Sequence, residues 1–524
     1  MQPNFLFLIA DQLRADHLGT YGNTVVRTPH IDALAAQGTL MQACYVASPI
    51  CMPNRASLMT GRMPLTHGVR HNGIALDQRA MTFVERLRQD GYATALIGKA
   101  HLQNMTGRPA FYPPAGARLA HEAFAADAAR YDQEWMPRWR DDPDFDVSTP
   151  FYGFDTVRFT VEHSDDLWGH YRRWARAKQP DIDTLIGPDN ALPSPDYRLT
   201  ESRQAWRTRV PEELYSTTYI AEQAVECLQR FAGDGKPFFL KCSFPDPHHP
   251  FTPPGRYWSM YDPAAMRLPG SFHVPFRGMA PPHLAWLLNQ RDAGKAVKHT
   301  QVMFACTERE AQEAIALNYG SISFIDDAIG RILAALRAHG LAENTVVILT
   351  SDHGDYMGDH QLLLKGPLHY EGLIRVPLIW RDPQLGPQAP IQALASTIDL
   401  APSILQRASV QPYNGIQGRS LLPLLRGESA PWRSALLIEE EGQRTYCGFD
   451  DRVRMRTLIR PPFRLSVYEG IAWGELYDRS ADPDEVENLW DVAAHAGVKA
   501  DLLHCLAQTM IGHSESSPYP SAVA

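Results

Sequence analysis

The sequence predicts an α/β fold in which a large, mostly parallel mixed sheet is sandwiched by helices. Short apolar runs that are typical of buried strands alternate along the chain with helical patterns, as in proteins built around a parallel sheet. At 524 residues, the chain is also long enough for one large core and a second, smaller one.

The predicted elements follow in chain order. The buried strands are expected at residues 5–10, 93–98, 238–244 and 346–351. Residues 323–339 predict an amphipathic helix, because their apolar side chains repeat at helical spacing and Gly340 follows them. Asp326 and Asp327 lie in the first turn of that helix, where acidic residues favour the helix dipole, so we interpret them as structural.

Two regions of the main domain, residues 104–200 and 250–305, lack this regularity. They are rich in aromatic, proline and charged residues and are interpreted as long excursions that form substrate walls or oligomer contacts, or that have no role. Short apolar runs after residue 430, such as 435–438 and 463–468, predict a smaller α+β subdomain. We therefore expect a main domain over residues 1–429 and a C-terminal subdomain over residues 430–524.

Composition excludes several classes of function. The net charge is −9 with acidic and basic residues interspersed, so no basic stripe suits nucleic acid. No apolar run is long enough to span a membrane, and the N-terminal run is too short for a signal peptide. Seven scattered cysteines, an odd number, argue against a disulfide framework. We expect a protein of the reducing cytoplasm without a nucleic-acid or membrane partner.

The string Cys51-Met-Pro-Asn-Arg55 is the most informative motif. Pro53 suits the first turn of a helix, and Gly61 suits its end. Arg55 follows Cys51 by one helical turn, so both side chains share a face at the positive helix N-terminus, where an anion binds and a nucleophile attacks it. The motif by itself is equally compatible with a half-buried thiol on an ordinary helix.

Each of the four predicted strands leads into polar residues. The polar groups are Asp11-Gln12, Lys99 and His101, His248-His249, and Asp352-His353. In open α/β sheets, ligands bind at the carboxyl ends of the strands, so these groups converge on one crevice if the strands are parallel neighbours. The inventory suits a hard divalent cation beside an anionic substrate.

The candidate metal ligands are the side-chain oxygens of Asp11, Gln12 and Asp352, to which His353 adds a nitrogen. Asp11 could instead cap a helix. The presence of Asp352 as a second candidate carboxylate ligand favours the metal-ligand interpretation over the cap. Asp352-His353 before a glycine is also a common turn composition.

The candidate cations for an oxyanion are Arg55, Lys99 and Lys365. The candidate proton carriers are His101 and His248. Adjacent histidines alternate across an extended backbone, so one of His248 and His249 is expected to be structural.

The chain resembles the type I sulfatases of the alkaline-phosphatase-like superfamily nearly end to end. The matching motifs, in family order, are Asp11-Gln-Leu-Arg-Ala-Asp16, Thr28-Pro-His-Ile-Asp32, Cys51-Met-Pro-Asn-Arg55 with Thr60-Gly-Arg62, Gly98-Lys-Ala-His101, Ser351-Asp-His-Gly354, Tyr370-Glu-Gly372 with Arg375-Val-Pro377, and Glu475-Leu-Tyr-Asp478 with Asp482-Pro483 and Asn488-Leu489. This resemblance implies an alkaline-phosphatase-like fold and the hydrolysis of aryl or alkyl sulfate monoesters.

The resemblance also implies the chemistry. A separate formylglycine-generating enzyme would oxidise Cys51 to formylglycine, whose hydrated gem-diol attacks sulfur on a divalent metal ion, Ca²⁺ or Mn²⁺. By this resemblance, the metal ligands are Asp11, Gln12, Asp352, His353 and residue 51, and Arg55 holds the diol. Lys99 and Lys365 contact the sulfate oxygens, His248 and Lys365 contact the leaving-group oxygen, and Asn72 contacts the substrate. His101 acts as the base when sulfate is released.

Two departures keep other functions open. Gln12 and His353 stand where most arylsulfatases have Asp and Asn, and they resemble choline sulfatases and phosphonate monoester hydrolases, whereas Lys99 and His101 favour sulfate. A phosphonate monoester or phosphodiester hydrolase is therefore the alternative function. A non-catalytic sulfatase-like binding protein is a third possibility that the intact motif around Cys51 disfavours.

The alcohol half of the substrate is not specified by any motif. Tryptophans in the two excursions would stack on an aryl group, a sugar face or a quaternary ammonium, or pack in the interior or between subunits of a homo-oligomer, which we favour. They are Trp135, Trp139, Trp168, Trp174, Trp258 and Trp286.

Overall fold

The computed structural model describes residues 2–110, 112, 119, 123, 130–276, 280–429 and 431–523. Its strands are β1 (Asn4–Ala10), β2 (Thr39–Leu40), β3 (Cys44–Tyr45), β4 (Ala93–Gly98), β5 (Thr156–Phe159), β6 (Phe238–Phe244), β7 (Phe304–Ala305), β8 (Thr345–Ser351), β9 (Leu362–Leu363), β10 (Leu378–Arg381), β11 (Ala395–Ser396), β12 (Leu436–Thr445), β13 (Arg452–Arg460), β14 (Phe463–Tyr468) and β15 (Gly474–Asp478). Its α-helices are α1 (Pro29–Ala36), α2 (Cys51–Thr60), α3 (Pro64–His67), α4 (Phe83–Gln89), α5 (Met136–Asp141), α6 (His170–Lys178), α7 (Ser216–Asp234), α8 (Pro282–Asp292), α9 (Glu308–Ala338), α10 (Glu371–Ile374), α11 (Leu400–Arg407), α12 (Leu422–Leu425) and α13 (Ala496–Gly512).

The main sheet contains the four predicted strands as neighbours. Its order is β2-β10-β8-β1-β6-β4-β5. β8, β1, β6, β4 and β5 are mutually parallel, whereas β10 is antiparallel to both β8 and β2. The prediction of a large, mostly parallel mixed sheet is therefore confirmed, and the carboxyl ends of the four predicted strands lie along one edge.

Helices cover both faces of this sheet. The side chains of residues 5–10 in its central strand point alternately to opposite faces and are all apolar, so each face needs a layer that buries it. Phe5, Phe7 and Ile9 of β1 belong to one core, which includes apolar side chains of α2, α4 and α11. Leu6 and Leu8 belong to the other core, with side chains of α1, α7 and α9. The sandwich follows directly from this division.

A second, antiparallel sheet forms the C-terminal part, as expected of a smaller α+β unit. Its order is β12-β13-β14-β15, and α13 packs on it through Leu502 and Leu506. The boundary between residues 429 and 430 stays a prediction, and residue 430 itself is outside the described residues.

The start of the predicted helix at residue 323 is wrong. α9 begins at Glu308, after a capping box in which Thr307 and Glu310 exchange hydrogen bonds. Asp326 therefore lies in mid-helix, not in a first turn. Its carboxylate accepts hydrogen bonds from the backbone N–H groups of His30 (3.1 Å) and Ile31 (2.8 Å), so it caps the N-terminus of α1 instead.

The two excursions contain more regular structure than predicted. Residues 104–200 include α5, α6 and β5, and β5 is an edge strand of the main sheet. Residues 250–305 include α8 and β7. Residues 111, 113–118, 120–122, 124–129 and 277–279 of these excursions are outside the described residues. None of the helices in the described part of the chain has the length and apolar character that a membrane crossing requires.

Candidate active site

The nucleophile candidate lies at the N-terminus of α2. Cys51 is the first residue of this helix, which is buried along its whole length and ends at Gly61 with a left-handed φ of 63°. The Asn72 side-chain oxygen accepts a hydrogen bond from the backbone N–H of Met52 (3.0 Å). Asn72 thus caps the helix beside Cys51, at the place where the sequence predicts a substrate contact.

Four buried side chains form a candidate metal centre. Asp11, Cys51, Asp352 and His353 each direct one ligand atom to a common point, and these atoms lie within 4.8 Å of one another. Asp11 follows β1, and Asp352 and His353 follow the adjacent strand β8, so the parallel pairing of two strands brings the ligands to the tip of α2. Carboxylate oxygens with one imidazole nitrogen fit a divalent cation.

Gln12 supplies a further oxygen at this centre. Its backbone has a left-handed φ of 65°, and its N–H donates to Asp352 Oδ1 (3.1 Å). The side-chain nitrogen contacts the Asp355 carboxylate and lies 3.0 Å from His249 Nδ1. The side-chain oxygen accepts from Lys365 Nζ (3.3 Å). Gln12 thus lies beside Asp352 and Lys365, and its role as a metal ligand stays a prediction.

The Arg55 guanidinium contacts the carboxylates of both Asp11 and Asp352. Its Nε donates to Asp352 Oδ2 (2.7 Å), and its Nη2 lies 3.3 Å from Asp11 Oδ2. Burial alone would raise the pKa of Asp11, but the charges of Lys99, Arg55 and Lys365 hold that pKa well below its usual range. Asp11 therefore stays ionised and able to bind a cation.

Lys365 connects the nucleophile candidate to a proton carrier. Its Nζ lies 3.0 Å from Cys51 Sγ and 2.8 Å from His248 Nε2. Lys99 Nζ donates to the carboxylate of Asp11, which also lies beside Cys51. The two ammonium groups thus flank the helix N-terminus at Cys51, where they would balance the charge of a bound anion.

His101 occupies an unusual backbone position near these groups. Its φ is 55°, in the left-handed region, and the Glu134 carboxylate accepts hydrogen bonds from the backbone N–H groups of His101, Leu102 and Gln103. The His101 Nδ1 atom is buried and has no hydrogen-bond partner. Burial, together with the charge of Lys99, lowers the pKa of this imidazole well below its ordinary value, so the ring is neutral.

The structure also brings in residues that sequence reasoning missed. Glu134 holds the His101 loop, and burial raises its pKa to about 7. Asp355 contacts Gln12, as does His249, which belongs to the histidine pair of which one member was expected to be structural. His163 contacts both Lys99 and His248. His163 lies four residues after β5, a strand too short to give a signal in the sequence that would have identified it.

The tryptophans of the excursions divide into buried and exposed groups. Trp139 and Trp258 are buried, which favours packing, whereas Trp135 and Trp286 are 40% and 41% exposed. Trp168 and Trp174 are half-buried, beneath Arg172 and Lys178 respectively.

Comparisons with known proteins agree on the family. Residues 3–410 match the sequence model of the family described as Sulfatase, and residues 358–511 match the one described as N-sulphoglucosamine sulphohydrolase, C-terminal. The chain is 27% identical over 500 residues to an arylsulfatase of Clostridium perfringens, covering 93% of this chain and 90% of the relative.

Two further similarities are to a multifunctional relative and to a solved phosphonate monoester hydrolase. The chain is 27% identical over 535 residues to the multifunctional alkaline phosphatase superfamily protein PehA of Trinickia caryophylli, covering 98% of this chain and 96% of the relative. A phosphonate monoester hydrolase of Agrobacterium radiobacter shares the fold, with a TM-score of 0.76 and 24% identity over 98% of this chain and 97% of that one.

Proposed function

Because the chain belongs to the sulfatase family, we propose that it hydrolyses sulfate monoesters at the site around Cys51. The observation that carries this proposal is the position of Lys365 Nζ, 3.0 Å from Cys51 Sγ and 2.8 Å from His248 Nε2. The Lys365 ammonium lies between the nucleophile position and a proton carrier. There it can balance the charge of an anionic ester while the bridging oxygen of that ester leaves.

Two groups would complete the site. A divalent cation, Ca²⁺ or Mn²⁺, held by Asp11, Gln12, Asp352 and His353 would polarise the ester and acidify a hydroxyl group. A formylglycine made from Cys51 by a separate maturation enzyme would supply that hydroxyl as a nucleophile that can be regenerated.

The chain's own residues perform the remaining work. Arg55 keeps both ligand carboxylates oriented toward residue 51. Lys99 and Lys365 neutralise the non-bridging oxygens of the ester. His248 and Lys365 contact the departing alcohol oxygen, to which the Lys365 ammonium gives a proton, and neutral His101 takes a proton in the step that releases sulfate.

A second candidate function rests on Gln12 and His353 and on the similarity to PehA. Gln12 gives this site one carboxylate fewer than most arylsulfatases have. Such a site also suits phosphonate monoesters and phosphate diesters, which carry the same single charge as a sulfate monoester. Lys99 and His101 favour sulfate, so we rank this function second.

The deciding experiment compares kcat/KM for an aryl sulfate and an aryl phosphonate monoester, with metal-replete protein and the Cys51→Ala variant as the blank. We expect the sulfate ester to be the better substrate. A phosphonate or diester substrate ahead of sulfate would assign the chain to the second function. Loss of both activities in a preparation with modified Cys51 would contradict both.

The role of His101 predicts a change in the time course of the reaction. His101→Ala should lower steady-state kcat by about 10²-fold, because general-base catalysis is lost. The first release of alcohol does not need this base, so stopped-flow measurement should show a burst of alcohol followed by slow turnover. His101→Gln, of similar volume, should behave alike, since an amide takes no proton. Slow turnover without a burst would show that His101 has another role.

A further inference from the structure

A three-residue segment after β5 reaches the candidate active site. Glu162 and Ser164 both have left-handed backbone conformations, with φ of 82° and 60°. Such conformations are costly for residues other than glycine and concentrate at functional sites. Between them, the side chain of His163 is 9% exposed and turns inward.

His163 contacts two residues with proposed roles in the reaction. Its Nε2 lies 2.5 Å from Lys99 Nζ. Its ring stacks on His248, with 3.9 Å between centroids and 24° between planes. It therefore bridges the cation on one side of the site and the proton carrier on the other.

The partner of Nε2 determines the protonation of the ring. A lysine ammonium only donates hydrogen bonds, so Nε2 must carry the lone pair and Nδ1 the proton. Nδ1 is buried without a hydrogen-bond acceptor, and the nearest carboxylate oxygen, Glu162 Oε2, is 3.6 Å away. Lys99, His248 and the Glu162 carboxylate therefore all contact the ring.

We propose that His163 is a positioning residue with two separable contributions: its Nε2 lone pair orients the Lys99 ammonium, and its ring face orients His248. This proposal rests on the function proposed above, because it assigns Lys99 to the sulfate oxygens and His248 to the leaving group. It adds a fifth parallel strand, β5, to those whose carboxyl ends build the site.

The two contributions have different consequences for substrates. Lys99 acts on the sulfate group that all substrates share, so disturbing it should affect every ester equally. His248 acts on the departing oxygen, so disturbing it should matter most for alcohols that are poor leaving groups and need the proton. A purely structural residue would lower the activity on every ester equally and would not produce the second pattern.

Two variants separate these contributions. His163→Gln keeps an acceptor for Lys99 and loses the ring, whereas His163→Phe keeps the ring and loses the acceptor. The measurement is kcat/KM for a series of aryl sulfates whose phenols differ in acidity. His170→Gln is the matched control, since His170 is a half-buried histidine of the same excursion that accepts from Phe159 N (2.9 Å) and contacts Trp139 instead of the site.

We expect His163→Phe to lose about 10-fold or more on all esters, the usual effect of removing a hydrogen bond to a charged group. His163→Gln should lose about fivefold more on the poorest leaving group than on the best, as expected when an aromatic pair is broken. His170→Gln should stay within about twofold of the wild type on every ester.

Several outcomes would overturn the proposal. It fails if both His163 variants lose activity in the same ratio on all esters, or if His163→Ala matches the wild type. It also fails if the losses follow a fall in melting temperature that His170→Gln shares. Failure of the proposed function looks different, because the wild type itself would then turn over no sulfate ester.

Discussion

Replacing Cys51 with alanine is expected to abolish turnover, with a loss in kcat/KM of roughly 10⁵-fold or more, because the nucleophile position disappears. The substitution removes only the Sγ atom from the first residue of α2. The cap from Asn72 to Met52 N, and the ion pairs of Arg55 with Asp11 and Asp352, do not involve that atom. The fold should therefore survive, with an unchanged melting curve.

The matched control is Cys227→Ala, which removes a buried free thiol from α7 outside the site. It should retain wild-type kcat/KM. Mass spectrometry of the peptide that contains Cys51 shows whether residue 51 is modified in the wild type. A Cys51→Ala protein with normal turnover would refute the nucleophile assignment, whatever the modification state.

Removal of the metal ion should have the second largest effect, a loss of about 10³-fold in kcat/KM, because a Lewis acid contributes several kcal/mol to stabilisation of the transition state. Chelator-treated protein is assayed before and after addition of Ca²⁺ or Mn²⁺. Calorimetric titration of each ion gives a readout independent of activity. Asp11→Asn keeps the size of the side chain but loses the charge, and it should lose metal binding in both assays.

A second group of possible ligands provides the control for this experiment. His30, Asp326 and Asp327 also place ligand atoms close together. However, Asp326 caps α1, and Asp327 pairs with Arg256 at 2.8 Å. Asp327→Asn should therefore leave the amount of bound metal unchanged. Normal metal content in Asp11→Asn, or reduced content in Asp327→Asn, would contradict the assignment of the metal centre.

The long helix α9 shows why one prediction from the sequence was incomplete. Apolar periodicity identified its second half, but the structure extends the helix back to Glu308. Most side chains of residues 310–325 are buried, and the excursion around Tyr257 packs closely against the helix at Gly320. A segment buried on all sides has no polar face, and the periodic signal disappears.

Local pattern and spacing were sufficient for much of the molecule. Unbroken apolar runs identified the four central strands, and the polar residues after them identified Asp11, Lys99, His248 and Asp352 as candidates. This works because a strand buried on both faces must be apolar throughout, and a parallel sheet brings the carboxyl ends of its strands together. The α/β class and the position of the site follow from the sequence alone.

Only the tertiary structure placed the remaining groups. No local pattern connects Lys365 to Cys51 or His163 to Lys99 and His248, since these residues lie far apart in the chain and meet through packing. β5 escaped prediction because it is a four-residue edge strand, too short for a periodic signal. Such contacts depend on how the excursion packs against the sheet. Patterns in short sequence segments contain no information about that packing.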